Sequence, residues 1–193
     1  MRVQSTNDTE HSSDLTKRVG WVVFLTATSV LFTLALACAA PFAAIGAAAA
    51  LFLQRRDAIW LTAITWLANQ AVGFGFAHYP LDAQTFMWGG LLGISAFAAT
   101  GAAMAADRVT RNWDRAFAAV LAFIAAFIAY EGFLYLVTQI VSPEPGDYAV
   151  KTVVMFLEIN GCAFAGLILL QKIGSVLGLV VPRNHSLGTP VAA

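Results

Sequence analysis

Two glutamates, Glu131 and Glu158, stand inside long apolar runs of this sequence, and Asn69, Gln70 and Asn160 stand inside others. Such groups are costly on a lipid-facing surface and are retained where they face a packed interior or a water-filled cavity. Carboxylates in that setting can exchange a proton, hold an ion or pair with a cationic ligand, and amides beside them can orient what is held. The amides have a second reading as hydrogen-bond partners between helices. A lone buried glutamate can be kept neutral, whereas two at matching depth point to a site.

Helical spacing adds neighbours to these five. Trp66 shares a face with Asn69 and Gln70, Tyr135 lies one turn beyond Glu131, and Met155, Glu158 and Cys162 follow one another at i, i+3 and i+7. Trp88 stands near the start of another apolar run, and His78, Tyr79 and Asp82 occupy a short connection. Together they outline an outward-facing pocket with aromatic walls, carboxylates, amides and a covering loop. Trp66 and Trp88 can equally be packing or interface anchors, His78 a loop residue that titrates, and Met155 and Cys162 core rather than metal ligands. The sequence specifies neither a metal nor a cofactor for the site.

The elements that must position these residues follow from composition. The chain has 193 residues, 59% hydrophobic and only 11% charged, where a soluble domain carries roughly 25% charged residues. A water-soluble fold of this size could not hide so much apolar surface. With a formal net charge of zero there is no basic field for nucleic acid. Apolar stretches cover residues 19–37, 39–53, 58–77, 84–106, 116–138 and 152–170, most of them near the roughly 20 residues that a helix needs to cross a bilayer. We therefore expect an all-α membrane protein, a bundle of six transmembrane helical segments. The bundle would span residues 19–180, between a disordered cytoplasmic tail at 1–18 and a second cytoplasmic tail at 181–193. The stretch 39–53 would rise only about 22 Å as a helix, so it must be short or re-entrant. Residues 1–18 are polar and carry acidic residues before Lys17 and Arg18, unlike the basic start of a secretory signal.

Positive charge sets the orientation. If residues 19–53 form a hairpin, then Arg2, Lys17, Arg18, Arg55, Arg56, Arg108, Arg111, Arg115, Lys172 and Arg183 fall on one side and only Lys151 on the other. That asymmetry places both termini in the cytoplasm of a bacterial-type inner membrane. It also brings Asn69, Gln70, Glu131, Glu158 and Asn160 to one layer, roughly 9–12 Å below the outer boundary. Cys38 and Cys162 are too far apart in sequence to form a paired ligand motif. No phosphate-binding Gly-rich loop, HExxH or Ser-His-Asp pattern is visible, so we expect a protein that is not an enzyme. A row of small residues, Gly89 and Gly93 resumed at Gly101 and Ala105, reads as helix packing, and Ala39, Ala43 and Ala47 form a stripe that could dock a partner helix.

The plan of residues 19–170 resembles the substrate-binding S-components of energy-coupling-factor transporters. Those are small six-helix proteins with both termini inside, an outward-facing pocket and an AxxxA surface that docks on a membrane coupling subunit. In that family the docking pattern lies on the first helix, whereas here its clearest version is Ala39 to Ala47. The resemblance implies a transport or solute-binding subunit; the polar residues themselves point to a cation, a proton or a small positively charged metabolite held by Glu131 and Glu158 and oriented by Asn69, Gln70 and Asn160. Its partners would be the lipid bilayer and a coupling subunit or further copies of the chain. The alternative is a non-catalytic scaffold or assembly partner of a larger membrane complex.

Overall fold

The computed structural model describes residues 40–141 and 150–176, together with isolated helical positions between 16 and 28. Most of the expected N-terminal tail and of the apolar stretch 19–37, the C-terminal tail, Cys38 and the turn-rich connection at 142–149 lie outside the described residues. Within them the chain is all-helical, with α1 (Phe42–Phe52), α2 (Arg55–Gly75), α3 (Ala83–Val109), α4 (Arg115–Val141) and α5 (Val150–Val176). The last three have 27 residues each and are long and apolar enough to cross a membrane, at about 40 Å apiece. This is compatible with a membrane-embedded protein. The 21-residue α2 carries Arg55, Arg56 and Asp57 in its first turn and is not among the three.

The expected six crossings are not supported, and α1 is the clearest departure. It has 11 residues, about 16 Å of helix, roughly half the thickness of a bilayer core. Pro41 occupies its N-cap, and extended backbone at Leu53 and Gln54 ends it and leads directly into α2. Despite its length α1 is the centre of the fold, packed against all four other helices. Every residue from Phe42 to Leu51 is buried, with Ala43, Ala44, Ala47 and Ala49 wholly inaccessible. Alanine suits this position because a helix with no side chain beyond Cβ lets several neighbours approach its backbone at once.

Short connections make successive helices antiparallel, since a few residues cannot retrace a 40 Å helix. The end of α1, with Arg55 and Arg56, therefore lies with Arg108, Arg111, Arg115 and Lys172, while Lys151 lies at the opposite end. Pro41 is left near mid-depth. Two aspartates start the long helices. Asp82 accepts the backbone N–H of Thr85 at 2.7 Å ahead of α3, and Asp114 accepts those of Ala116 and Phe117 at 2.9 and 3.2 Å ahead of α4. Each satisfies donors that the first turn leaves open.

Small residues bring α3 close to its neighbours, though along a different row from the one read in the sequence. The buried positions run Gly89, Gly93, Ala96, Thr100 and Ala103, while Phe97, Gly101 and Ala105 are exposed. A strict i+4 row turns by about 40° per step on a helix of 3.6 residues per turn, so it leaves the contact face after two steps. Alternating steps of four and three stay on it. Thr100 is the junction of three helices. Its hydroxyl lies 2.8 Å from that of Thr62 on α2, and it covers Gly46 of α1, where a Cβ would stand 3.1 Å from the Thr100 backbone nitrogen.

Candidate functional site

The amides of α2 belong to the contact between α2 and α3. The Trp66 indole N–H donates to the Gly89 carbonyl oxygen at 2.9 Å, and the ring lies over Gly93, where an added Cβ would meet it at 2.8 Å. Gln70, half-buried, covers Gly89 in the same way, its Oε1 2.5 Å from where a Cβ would stand. The glycine pair is thus a groove filled by Trp66 and Gln70. Asn69 is half-buried beside them, and Trp88 is half-buried on α3. One turn earlier, the hydroxyl of the buried Thr65 has no hydrogen-bond partner among the described residues.

The connection from α2 to α3 is an aromatic clasp. Phe74 stacks on Phe86 with ring centres 4.9 Å apart and meets Tyr79 edge-on at 6.4 Å. His78 adopts a left-handed backbone conformation, with φ of 53°, which lets the chain reverse so that the Tyr79 N–H returns to the Gly73 carbonyl at 3.0 Å. The Tyr79 ring then lies over Gly73. His78 itself is exposed. These residues fold back onto the ends of their own two helices.

Two predicted residues are buried in the core, on different helices. Asn160 on α5 is 2% exposed, and its side-chain oxygen accepts the Ala44 backbone N–H at 3.2 Å while its amide donates to the Phe156 carbonyl at 3.0 Å. Ala44 is in the first turn of α1, whose N-cap Pro41 provides no side-chain hydrogen bond. Asn160 thus caps α1 from another helix. Glu131 on α4 is 6% exposed. Its neighbour Tyr130, also buried, places its ring 6.1 Å from that of Phe42 at the start of α1. Phe123 of α4 stacks on Phe164 of α5 at 4.9 Å. Counted from that stack, Asn160 lies about 6 Å and Glu131 about 12 Å further from the cation-rich end. The two polar groups are therefore about one turn apart in depth.

Glu158 is not brought to this centre. It is exposed, as are Met155 and Cys162, so the whole stripe faces outward. Depth was shared, but azimuth was not: two residues on a helix differ by about 200°, which puts Glu158 opposite the buried Asn160. Nor do the amides of α2 join Glu131, because α2 packs chiefly on α3 and α1. The expected single layer is divided among the α2–α3 contact, the buried Glu131 and Asn160, and the outward Glu158. Among the described residues, no three of His, Cys, Asp and Glu gather as a metal would require. The stripe from Ala39 to Ala47 is no docking surface either, since Ala43 and Ala47 are buried within the chain; Ala39 lies outside the described residues.

A further cavity lies elsewhere. A groove of about 880 Å³ opens between α4 and α5 at the cation-rich end, below the tip of α1, and holds none of the predicted site residues. Its residues escaped sequence reading because Arg115 and Lys172 pass for topology anchors. Tyr130 was also missed, although its position beside Glu131 could have raised it. Compared with known proteins, the chain matches no family model, no curated protein and no solved structure.

Proposed function

We propose that this chain is a membrane transport or solute-binding subunit whose working group is Glu131, a carboxylate able to take up a proton or a small cation. The observation that supports it is the burial of Glu131 beside Tyr130, whose ring lies 6.1 Å from that of Phe42 at the start of the half-length α1. A carboxylate kept in such a place is costly unless it serves something. The cation-rich end then faces the cytoplasm of a bacterial-type inner membrane, by the rule that retains Lys and Arg there. A coupling partner would dock on a face other than the buried alanine stripe.

The test is flux in liposomes carrying the purified full chain, with an imposed proton or monovalent-cation gradient. The wild type dissipates one of these gradients, Glu131→Gln does not, and Glu158→Gln behaves as wild type. Unaltered flux through Glu131→Gln sinks the reading.

A second reading, a non-catalytic assembly partner of a larger membrane complex, is favoured by the outward Glu158. An exposed carboxylate on an apolar helix is a site for a partner helix bearing a donor. Stoichiometric copurification of another membrane protein, lost in Glu158→Leu and kept in Glu131→Gln, with no flux in either protein, would select it.

A further inference from the structure

The groove between α4 and α5 has the build of a site for an amphiphile. Its volume, about 880 Å³, lies in the upper part of the range for ligand pockets, about 300–1,000 Å³. The inner part is apolar. The stacked rings of Phe123 and Phe164 line it, together with Phe52 at the tip of α1. From Phe123 to Arg115 is about 12 Å along α4, a length of several methylene groups.

The rim has the opposite character. Arg115 from α4 and Lys172 from α5 line the mouth, and among the described residues neither makes an ion pair. The carboxylate at this rim, Asp114, is already committed to the backbone N–H groups of Ala116 and Phe117. With Arg115 and Lys172 against the single carboxylate of Asp114, the mouth keeps a net positive charge. Beside it, Gln171 lines the groove, and its side-chain oxygen has no hydrogen-bond donor among the described residues.

We propose that this groove binds one anionic glycerophospholipid. An acyl chain lies against Phe52, Phe123 and Phe164, the phosphate sits between Arg115 and Lys172, and a headgroup hydroxyl donates to Gln171. Charge complementarity selects the headgroup and the aromatic floor selects the chain, so a free phosphate or a neutral alkyl chain would satisfy only half of the groove. This site stands apart from Glu131 and does not depend on what Glu131 does.

The purified full chain, stripped of lipid in detergent, is titrated with phosphatidylglycerol and with phosphatidylethanolamine of matched chains, and bound lipid is counted by native mass spectrometry. Phosphatidylglycerol should bind roughly ten- to thirtyfold more tightly, the effect of two cationic side chains near an anionic headgroup. Arg115→Gln with Lys172→Gln should abolish the preference without altering helicity, since both side chains are exposed. Gly161→Leu should reduce binding of both lipids, because Gly161 lines the groove and an added Cβ there meets nothing within 4 Å. Equal affinity of the wild type for the two lipids overturns the proposal. So does phosphatidylglycerol binding that survives Gly161→Leu, which would leave the groove to a segment of this chain or to a partner helix.

Discussion

The side-chain oxygen of Asn160 accepts the backbone N–H of Ala44 at 3.2 Å, so a residue of α5 closes the first turn of α1 across 116 positions of sequence. A helix that begins at mid-depth exposes its first N–H groups where no water reaches them, and each one left open is costly. Asn160→Leu removes the acceptor and leaves the Ala44 donor buried. The expected loss is about 1–3 kcal/mol, read as a lower midpoint in detergent-mediated unfolding. Equal stability of Asn160→Leu and wild type would show that another group serves that donor.

Glycine-to-alanine changes should separate two kinds of glycine. At Gly46 a Cβ would stand 2.8 Å from the Thr100 hydroxyl oxygen and 3.1 and 3.2 Å from Thr100 backbone atoms, and backbone cannot rotate aside. At Gly93 it would meet the indole of Trp66, which is tied to the Gly89 carbonyl. At Gly90, one residue along from Gly89, it would meet nothing within 4 Å. Overpacking of this kind costs typically about 1–3 kcal/mol, so Gly46→Ala and Gly93→Ala should lower the thermal midpoint. Gly90→Ala should hold or raise it, because alanine is the better helix former.

How much of this was legible in the sequence depended on which physical quantity each residue encodes. Apolar runs fixed α3, α4 and α5 to within a few residues at their starts, and α5 extends through Val176, further than the run ending at 170. The short stretch after Pro41 was readable as too brief to cross, but its role as the core was not, since burial of α1 depends on four partners, three of them remote in sequence. Depth along a helix could be counted for Glu131, Glu158 and Asn160. Their facing could not, because in α4 and α5 apolar residues surround the whole helix and no polar side marks the outside. The pairing of Trp66 and Gln70 with Gly89 and Gly93 was likewise hidden, although both halves were visible.

Asp82 supplies a pH dependence with a definite sign. The backbone N–H of Thr85, and after it the Thr85 side chain, hold the Asp82 carboxyl below the ordinary carboxylate value. A folded-state value below the unfolded one stabilises the fold at every pH above the unfolded value, and that contribution is lost as pH falls through the folded value. Asp82→Ala should therefore lower the thermal midpoint near neutrality. The difference from wild type should shrink in acid, below the usual carboxylate range, and vanish once the carboxyl is protonated. A gap that stays constant down to strongly acidic pH would assign the effect to Asp82 in its uncharged form.

Replacing each glutamate by leucine should separate the two in stability as well as in flux. Glu158 faces outward about 12 Å into α5 from Val150, where a charged side chain on a lipid-facing helix is unfavourable. Glu158→Leu should thus favour the folded, inserted state, unless a partner covers that face. Glu131 is enclosed, 6% exposed, and makes an interaction within the chain. Glu131→Leu removes it and forces a branched apolar group into a space shaped for a carboxyl, with an expected cost of about 1–3 kcal/mol, whereas Glu131→Gln keeps the shape and should cost less. Opposite shifts of the unfolding midpoint for the two leucine variants, in matched lipid-detergent mixtures, are the expected outcome. Were both to stabilise the chain, the buried carboxylate would have no structural bond worth keeping.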